Sequence, residues 1–236
     1  DLHQAQRDKL ELACRKLDLS PGMKVLDIGC GWGSFAEHAA RHHGVEVTGI
    51  TISREQAALA GERCAGLPVE ILLQDYRDLD GRYDRIVSIG MFEHVGHRNY
   101  ATYFETVKRL MPADGLFLLH TIGSNRSEVT ADPWINRYIF PNGVLPSAMN
   151  IARTSEEHLL MEDWQNFGPD YDRTLMAWLA NFDAHWHEIA PRYNERTRRM
   201  FRYYLAICAG AFRARHLQLW QIVFSRGRPG RYDAPR

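Results

Sequence analysis

The chain reads as an α/β protein, with a mostly parallel seven-stranded sheet, helices on both faces, and a helical, aromatic insertion after the fifth strand. Three observations carry this reading. Short apolar segments alternate with helix-period segments as far as His120, the rhythm of parallel strands joined by crossover helices. A glycine cluster, Gly29-Cys30-Gly31-Trp32-Gly33, falls directly between the first strand and the next helix. Beyond His120 the alternation stops, and turn residues, aromatics and two long helical stretches follow.

Each element has its own cause. Leu2, Ala5, Leu10, Leu12, Ala13 and Leu17 recur at roughly helical spacing, and Pro21-Gly22 breaks the chain after them. Residues 23–28 form a buried strand, 34–43 a helix, and 45–50 a second strand. Ser53 caps the next helix, which runs to about Cys64. Residues 69–73 and 83–89 are the third and fourth strands, 100–111 a helix, and 115–120 the fifth strand. The segment 122–155, with short helices over 133–138 and 146–153, is an insertion or lid, and loops of that length are usually functional. Residues 158–164 and 216–224 supply the sixth and seventh strands, and the stretches 171–189 and 193–215 between them are helical.

Composition excludes several classes. With 236 residues, 45% hydrophobic and 25% charged, the chain is neither disordered nor collagen-like, and it can bury a core without staples. We treat residues 1–236 as a single domain. No apolar run approaches the roughly 18–20 residues that span a bilayer. The cysteines Cys14, Cys30, Cys64 and Cys208 contain no CxxC pair. That argues against a zinc ribbon or a disulfide framework and fits a reducing cytoplasm, so no metal centre is expected. The first residues already read as helix, so the chain is expected to lack an N-terminal part.

Net charge is zero, yet residues 191–236 hold eleven arginines against Glu195 and Asp233. Such a segment points to an anionic partner, a membrane surface or nucleic acid. The arginines are interleaved with Phe201, Tyr204, Leu205 and Phe212, as on an amphipathic helix covering a core or a greasy tunnel. No nucleic acid is therefore expected.

The glycine turn is the strongest local signal. Glycine permits positive φ and close approach of a ligand to the backbone, and the following helix offers free N–H groups. The spacing GxGxG is neither the dinucleotide fingerprint nor a phosphate loop, and Asp27 on the strand suits a ligand with a cationic amino group. Glu93 follows the fourth strand and His120 ends the fifth. Strands about 4.8 Å apart bring both side chains to one crevice beside that turn. His94, next to Glu93, is expected to point elsewhere.

The glycine turn resembles that of the class I S-adenosylmethionine-dependent methyltransferases, which implies their Rossmann-like fold. In that class the turn (Asp27, Gly29, Gly31, Gly33) holds the methionine part of the cofactor. Most members end the second strand with an acidic residue for the ribose; here Thr51 and Gln56 stand in its place. Gln74-Asp75-Tyr76 falls where the class contacts adenine. Longer motifs narrow the likeness, among them Gly49-Ile50-Thr51-Ile52-Ser53, Leu73-Gln74-Asp75-Tyr76-Arg77-Asp78, Gly90-Met91-Phe92-Glu93-His94-Val95-Gly96, Tyr138-Ile139-Phe140-Pro141-Asn142-Gly143, Phe167-Gly168-Pro169-Asp170-Tyr171 and Cys208-Ala209-Gly210-Ala211-Phe212-Arg213. Together with Leu119-His120-Thr121-Ile122-Gly123 and Met161-Glu162-Asp163-Trp164, they resemble the cyclopropane-fatty-acyl-phospholipid synthase family over essentially the whole chain.

The resemblance implies transfer of a methylene from S-adenosylmethionine across a cis double bond of an unsaturated phospholipid. Bound bicarbonate is the base, held by Glu93, His120, the Ile122 backbone N–H and Tyr171. Tyr138, Phe140, Phe167, Tyr171 and Trp178 are the aromatic candidates for stabilising the cation. Segment 170–215 belongs to the substrate site. A family cysteine matching Cys208 is treated as an active-site residue, whereas its apolar neighbours here read as a thiol lining the acyl pocket. Family members carry a further N-terminal, lipid-associating domain, through which a homodimer is expected. Docking on an anionic membrane surface should be peripheral and reversible. The alternatives are C-methylation of the lipid alkene without ring closure, or methylation of a small amine, on the same fold.

Overall fold

The computed structural model describes residues 1–228 and 230–236. Helix α1 (Leu2–Lys16) leads into strand β1 (Lys24–Ile28), α2 (Ser34–His43), β2 (Glu46–Thr51), α3 (Arg54–Arg63), β3 (Val69–Leu73) and β4 (Arg85–Ile89). Then come α4 (Tyr100–Leu110), β5 (Leu116–Ser124), α5 (Pro133–Tyr138), α6 (Ala148–Ser155), β6 (Leu160–Asn166), α7 (Gly168–Ile189), α8 (Glu195–Arg213) and β7 (Leu217–Ser225). The seven strands form one sheet in the order β3-β2-β1-β4-β5-β7-β6. Pairing among β1 to β5 is parallel, and β7 runs antiparallel to both β5 and β6. The strand order reverses between β1 and β4, and ligands of open α/β sheets bind beyond the carboxyl ends of strands at such a point.

Alternation along the strands decides which helix covers which face. Leu26, Ile86, Phe117, Leu119, Ile222 and Phe224 pack with Tyr103, Phe104 and Val107 of α4 and Ile151 of α6. Val25, Val47, Val87, Leu118 and Val223 turn the other way, onto Ala13, Cys14 and Leu17 of the α1 region and Phe35, Ala36 and Ala39 of α2. Each large side chain buried in this way contributes roughly 1.5–3 kcal/mol. A third cluster joins Leu175 of α7 and Leu205, Ala209 and Phe212 of α8 to Leu219 of β7.

Several boundaries differ from the sequence expectation. β5 continues four residues past His120, because its nine residues pair with the nine of β7, from Leu116↔Ser225 to Ser124↔Leu217. The insertion therefore leaves the sheet at Ser124 and returns beside it: Ser124 N–H donates to the Pro146 carbonyl at 2.9 Å. A reciprocal Ser147/Asn150 capping box then starts α6. α7 begins at Gly168, with Pro169 in its first turn, where the missing N–H costs nothing.

Candidate active site

The glycine turn lies over the end of β2. The N–H groups of Gly29 and Cys30 both donate to the Ile50 carbonyl, at 3.0 and 2.9 Å. Gly29, Gly31 and Gly33 all have φ between 55° and 79°. A Cβ on Gly29 would lie 2.6 Å from Met91 Cγ, whereas one on Gly31 would meet nothing within 4 Å. Gly31 thus faces open space, a cleft of about 470 Å³ at the switch point. Gly29, Gly31, Thr51, Gln56, Gln74, Asp75 and Tyr76, all among the residues the resemblance assigns to the cofactor, line it.

Asp27 and Gly33 stand behind this lining. Asp27 is 2% exposed, its Oδ2 has no partner, and burial pushes its carboxyl up to about 7. Gly33 is the N-cap of α2. Thr51 Oγ1 donates to Gln56 Oε1 at 2.8 Å and so fixes the Gln56 carboxamide. Asp75 is gripped by the Arg77 guanidinium at 2.9 and 2.7 Å, which holds its carboxyl below the usual carboxylate range. His94 corrects an expectation: it lines the cleft with Met91 and Asn99, because the short 3₁₀ turn Phe92–His94 winds it back over the opening.

That turn also delivers Glu93. Phe92 is fully buried and stacks on Tyr100 with centroids 4.3 Å apart. Gly90 N–H donates to the His120 carbonyl at 2.8 Å and ties the end of β4 to β5. Glu93 Oε1 accepts from Ile122 N–H at 2.7 Å, while Oε2 is buried without a partner. Burial raises the Glu93 carboxyl against the lowering effect of its backbone hydrogen bonds. In the structure the Ile122 N–H thus orients the Glu93 carboxylate.

His120 pairs laterally with Ile89 and Gln221. Its Nδ1 is buried and unpartnered, and burial, with smaller effects from Lys9 and Lys16, pushes its pKa down to about 3. Burial thus favours the neutral ring. Gln221 and Gln165, register partners across β7 and β6, also have unpartnered buried Oε1 atoms. Beyond them the Lys16 ammonium is fully buried, 3.7 Å from Asp163 and 5.5 Å from the Phe167 ring. This polar row beside His120 was missed in the sequence, since it exists only through the insertion of β7 between β5 and β6.

Ile122, Phe167, Tyr171, Trp178, Tyr204 and Cys208 all pack on the α7–α8 cluster. The Tyr171 ring stands edge-on to Phe212 at 5.0 Å and to Trp178 at 5.8 Å. Burial raises its hydroxyl first, then the nearby Tyr204, Glu93 and Cys208. Phe140 lies 5.9 Å from His94 and 5.7 Å from Tyr204, bridging the cleft and the cluster. Tyr138 does not join them. It packs on Trp134 at 5.6 Å and under the Arg137 guanidinium, because α5 turns that face toward Tyr203. Cys208 is half-buried and burial pushes its thiol up to about 11, so it stays protonated. A protonated thiol is a poor nucleophile, which fits a lining role.

This sheet order, with an open cleft at the switch point, defines the Rossmann-like methyltransferase class. The chain belongs to the mycolic acid cyclopropane synthetase family, whose model matches residues 1–222. It is 62% identical over 227 residues to the cyclopropane-fatty-acyl-phospholipid synthase of Escherichia coli (strain K12), covering 96% of this chain and 59% of that protein. It is 40% identical over 247 residues to a probable fatty acid methyltransferase of Pseudomonas putida, covering 99% and 63%. Among solved structures, cyclopropane synthase MmaA2 from Mycobacterium tuberculosis superposes with a TM-score of 0.89 at 32% identity, covering 95% of this chain and 85% of that one. Mycolic acid cyclopropane synthase CmaA1 complexed with SAH and CTAB gives the same TM-score at 33% identity and the same coverage. The chain thus spans about 60% of the length of these two curated relatives.

Proposed function

We propose that this domain transfers the methyl group of S-adenosylmethionine to a cis alkene of an unsaturated phospholipid acyl chain and closes a cyclopropane ring. One observation carries the reading: Glu93 Oε2 and His120 Nδ1 are both buried and unpartnered, next to an apolar cluster containing Tyr171 and Trp178. A site for methylating a soluble amine has no need of so greasy an antechamber. The relatives named for cyclopropanation support the same reading.

S-adenosylmethionine, when bound, supplies an electrophilic methyl; the alkene π electrons form the new bond, and one proton of that methyl must leave before the ring closes. The open face of Gly31 and the unpaired Asp27 carboxylate suit the cosubstrate's amino-acid end. Bicarbonate, when bound, would supply the proton acceptor. Glu93 Oε2 would accept from its hydroxyl, and the His120 ring and the Tyr171 hydroxyl would donate to its oxygens. Ile122 holds the Glu93 carboxylate in place for that contact. The faces of Phe140, Phe167, Tyr171 and Trp178 stabilise positive charge on the lipid, and no thiolate is required.

The test uses vesicles of a dioleoyl phospholipid, S-adenosylmethionine and the full chain. Proton NMR of the recovered lipid should show ring protons appearing as vinyl protons vanish. Added carbon with surviving vinyl protons would mean alkene methylation and would overturn the reading. Glu93→Gln keeps an acceptor for Ile122 but removes the charge. It should lower kcat by about 10²–10⁴-fold, the range of a general acid–base step, with S-adenosylmethionine affinity unchanged by calorimetry.

A further inference from the structure

Where α1 packs beside α2, the structure gathers a set of donors that the methyltransferase reading does not use. Cys14 Sγ and one ring nitrogen each of His38 and His43 lie within 4.8 Å of one another. Glu11, one turn before Cys14 on the same face of α1, joins them. Its Oε2 is 3.2 Å from His38 Nε2 and 3.0 Å from His43 Nε2. We propose that Glu11, Cys14, His38 and His43 form a zinc site that pins α1 to α2.

The donor set is what selects the metal. One thiolate, two imidazoles and a carboxylate match zinc's preference for four nitrogen, sulfur and oxygen ligands in a tetrahedron. Calcium and magnesium prefer oxygen alone. Zinc bond lengths of about 2.0–2.3 Å imply donor–donor edges of roughly 3.3–3.7 Å. The two histidine–glutamate spacings already fall slightly short of that range, and the sulfur needs only a modest inward movement. Cys14 is fully buried, and the side chains of His38, His43 and Glu11 are 14%, 18% and 45% exposed. The site is thus sheltered on one side and reachable from solvent on the other.

Charge balances at the centre. Zinc replaces the thiol proton, which leaves to solvent, and each neutral imidazole shifts its remaining proton from Nε2 to Nδ1. The dication then faces one thiolate and one carboxylate, a neutral complex. With four protein ligands the centre is closed, which is the structural rather than the catalytic arrangement. The absence of a CxxC pair concealed it in the sequence, because the two helices contribute the ligands from positions 11–14 and 38–43.

The probe is cobalt(II), added to the chelator-stripped full chain and then displaced by zinc. One equivalent should produce the strong visible bands of a tetrahedral centre together with a near-ultraviolet thiolate-to-metal band. His38→Gln and His43→Gln should weaken binding by more than the roughly 10–100-fold typical of lost outer-shell contacts, and Cys14→Ser should remove the thiolate band. Zinc should raise the Tm of the parent chain and leave that of His43→Gln unmoved. Because Cys14 is in the core, its variant is read beside the histidine variants, whose rings reach the surface. His42→Gln is the control: its ring lies 4.7 Å from that of His38 but is not among the converging donors. Absence of the thiolate band in the parent chain, or equal loss with His42→Gln, shows only a surface histidine patch and overturns the site.

Discussion

Asp27 holds a carboxyl in the core beneath the glycine turn, with one oxygen unpartnered and a pKa lifted to about 7 by burial. The sign follows from the direction. A carboxyl raised above its ordinary value of 3.8 favours the fold fully below that value, and the contribution is lost as pH rises through about 7. Asp27→Asn should therefore remove a pH-dependent cost of up to roughly 4 kcal/mol above neutrality. Thermal melts should show the variant gaining on the parent at pH 8 and not at pH 4. Binding should move the other way. A cationic ligand stabilises the ionised carboxylate, so the amide should lose S-adenosylmethionine affinity by tenfold or more in calorimetry. A variant that binds as tightly as the parent would remove Asp27 from the cosubstrate site. His120 behaves oppositely: burial holds it neutral, so its titration should be absent from the pH–rate profile above pH 5.

At the scale of elements, the decisive one is β7, which pairs with β5 along nine residues and carries Trp220 across the sheet opposite Thr121. A Cβ on Gly123 would lie 1.9 Å from Trp220 Cζ3. Trp220 is held in turn by Trp164 at 4.9 Å, so it has little room to yield. Gly123→Ala should cost about 1–3 kcal/mol, the usual range for overpacking a core, measured by denaturant unfolding. The strain falls one residue from the Ile122 N–H that holds Glu93. Turnover of the folded variant should therefore drop more than its S-adenosylmethionine affinity, whose cleft lies on β1, β2 and β4. Equal loss of both would mean that β5 serves the sheet alone.

For the whole molecule, the charge asymmetry is partly resolved by ion pairing. Arg202 meets Asp183 at 2.6 Å, Arg213 meets Asp172 at 2.9 Å, and Arg236 meets Asp163 at 2.7 Å. Among the described residues, Arg192, Arg196 and Arg199 are exposed and make no ion pair. They cluster where α7 passes into α8, beside Tyr193 at 55% exposure. An anionic lipid surface would gain about 1 kcal/mol from each of these three clustered arginines, while Arg215 and Arg226, also exposed without an ion pair, are hydrogen-bonded to Gln218 and the Met111 carbonyl. The triple change to glutamine should abolish the preference for phosphatidylglycerol over phosphatidylcholine vesicles in a sedimentation assay. Added salt should weaken the parent's preference in the same way. Equal binding to both vesicles by the parent at low salt would make the basic segment a structural face. No helix among the described residues is long and apolar enough to cross a membrane.

What the amino-acid sequence determined by itself was whatever rests on short spacing. The first five strands, their covering helices, the Ser53 cap and the glycine turn follow from period, side-chain size and backbone sterics within a few residues, and the structure has them within a residue or two, β5's far end apart. Seven of the nine anticipated cleft residues line the cleft for the same reason, since each sits at the end of such a strand. Tertiary structure alone decided the rest. Pairing residues 116–124 with 217–225 lengthened β5, set Gln221 beside His120 and brought the α7–α8 aromatics to Ile122. The backward wind of one 3₁₀ turn gave Glu93 its hold on Ile122 and aimed His94 into the cleft, while a six-residue helix carried Tyr138 away from it. The meeting of Cys14 with His38 and His43 depends on how two helices lie across one another. Such contacts form between positions far apart along the chain, where no local propensity acts, and they are selected by the packing of the whole core.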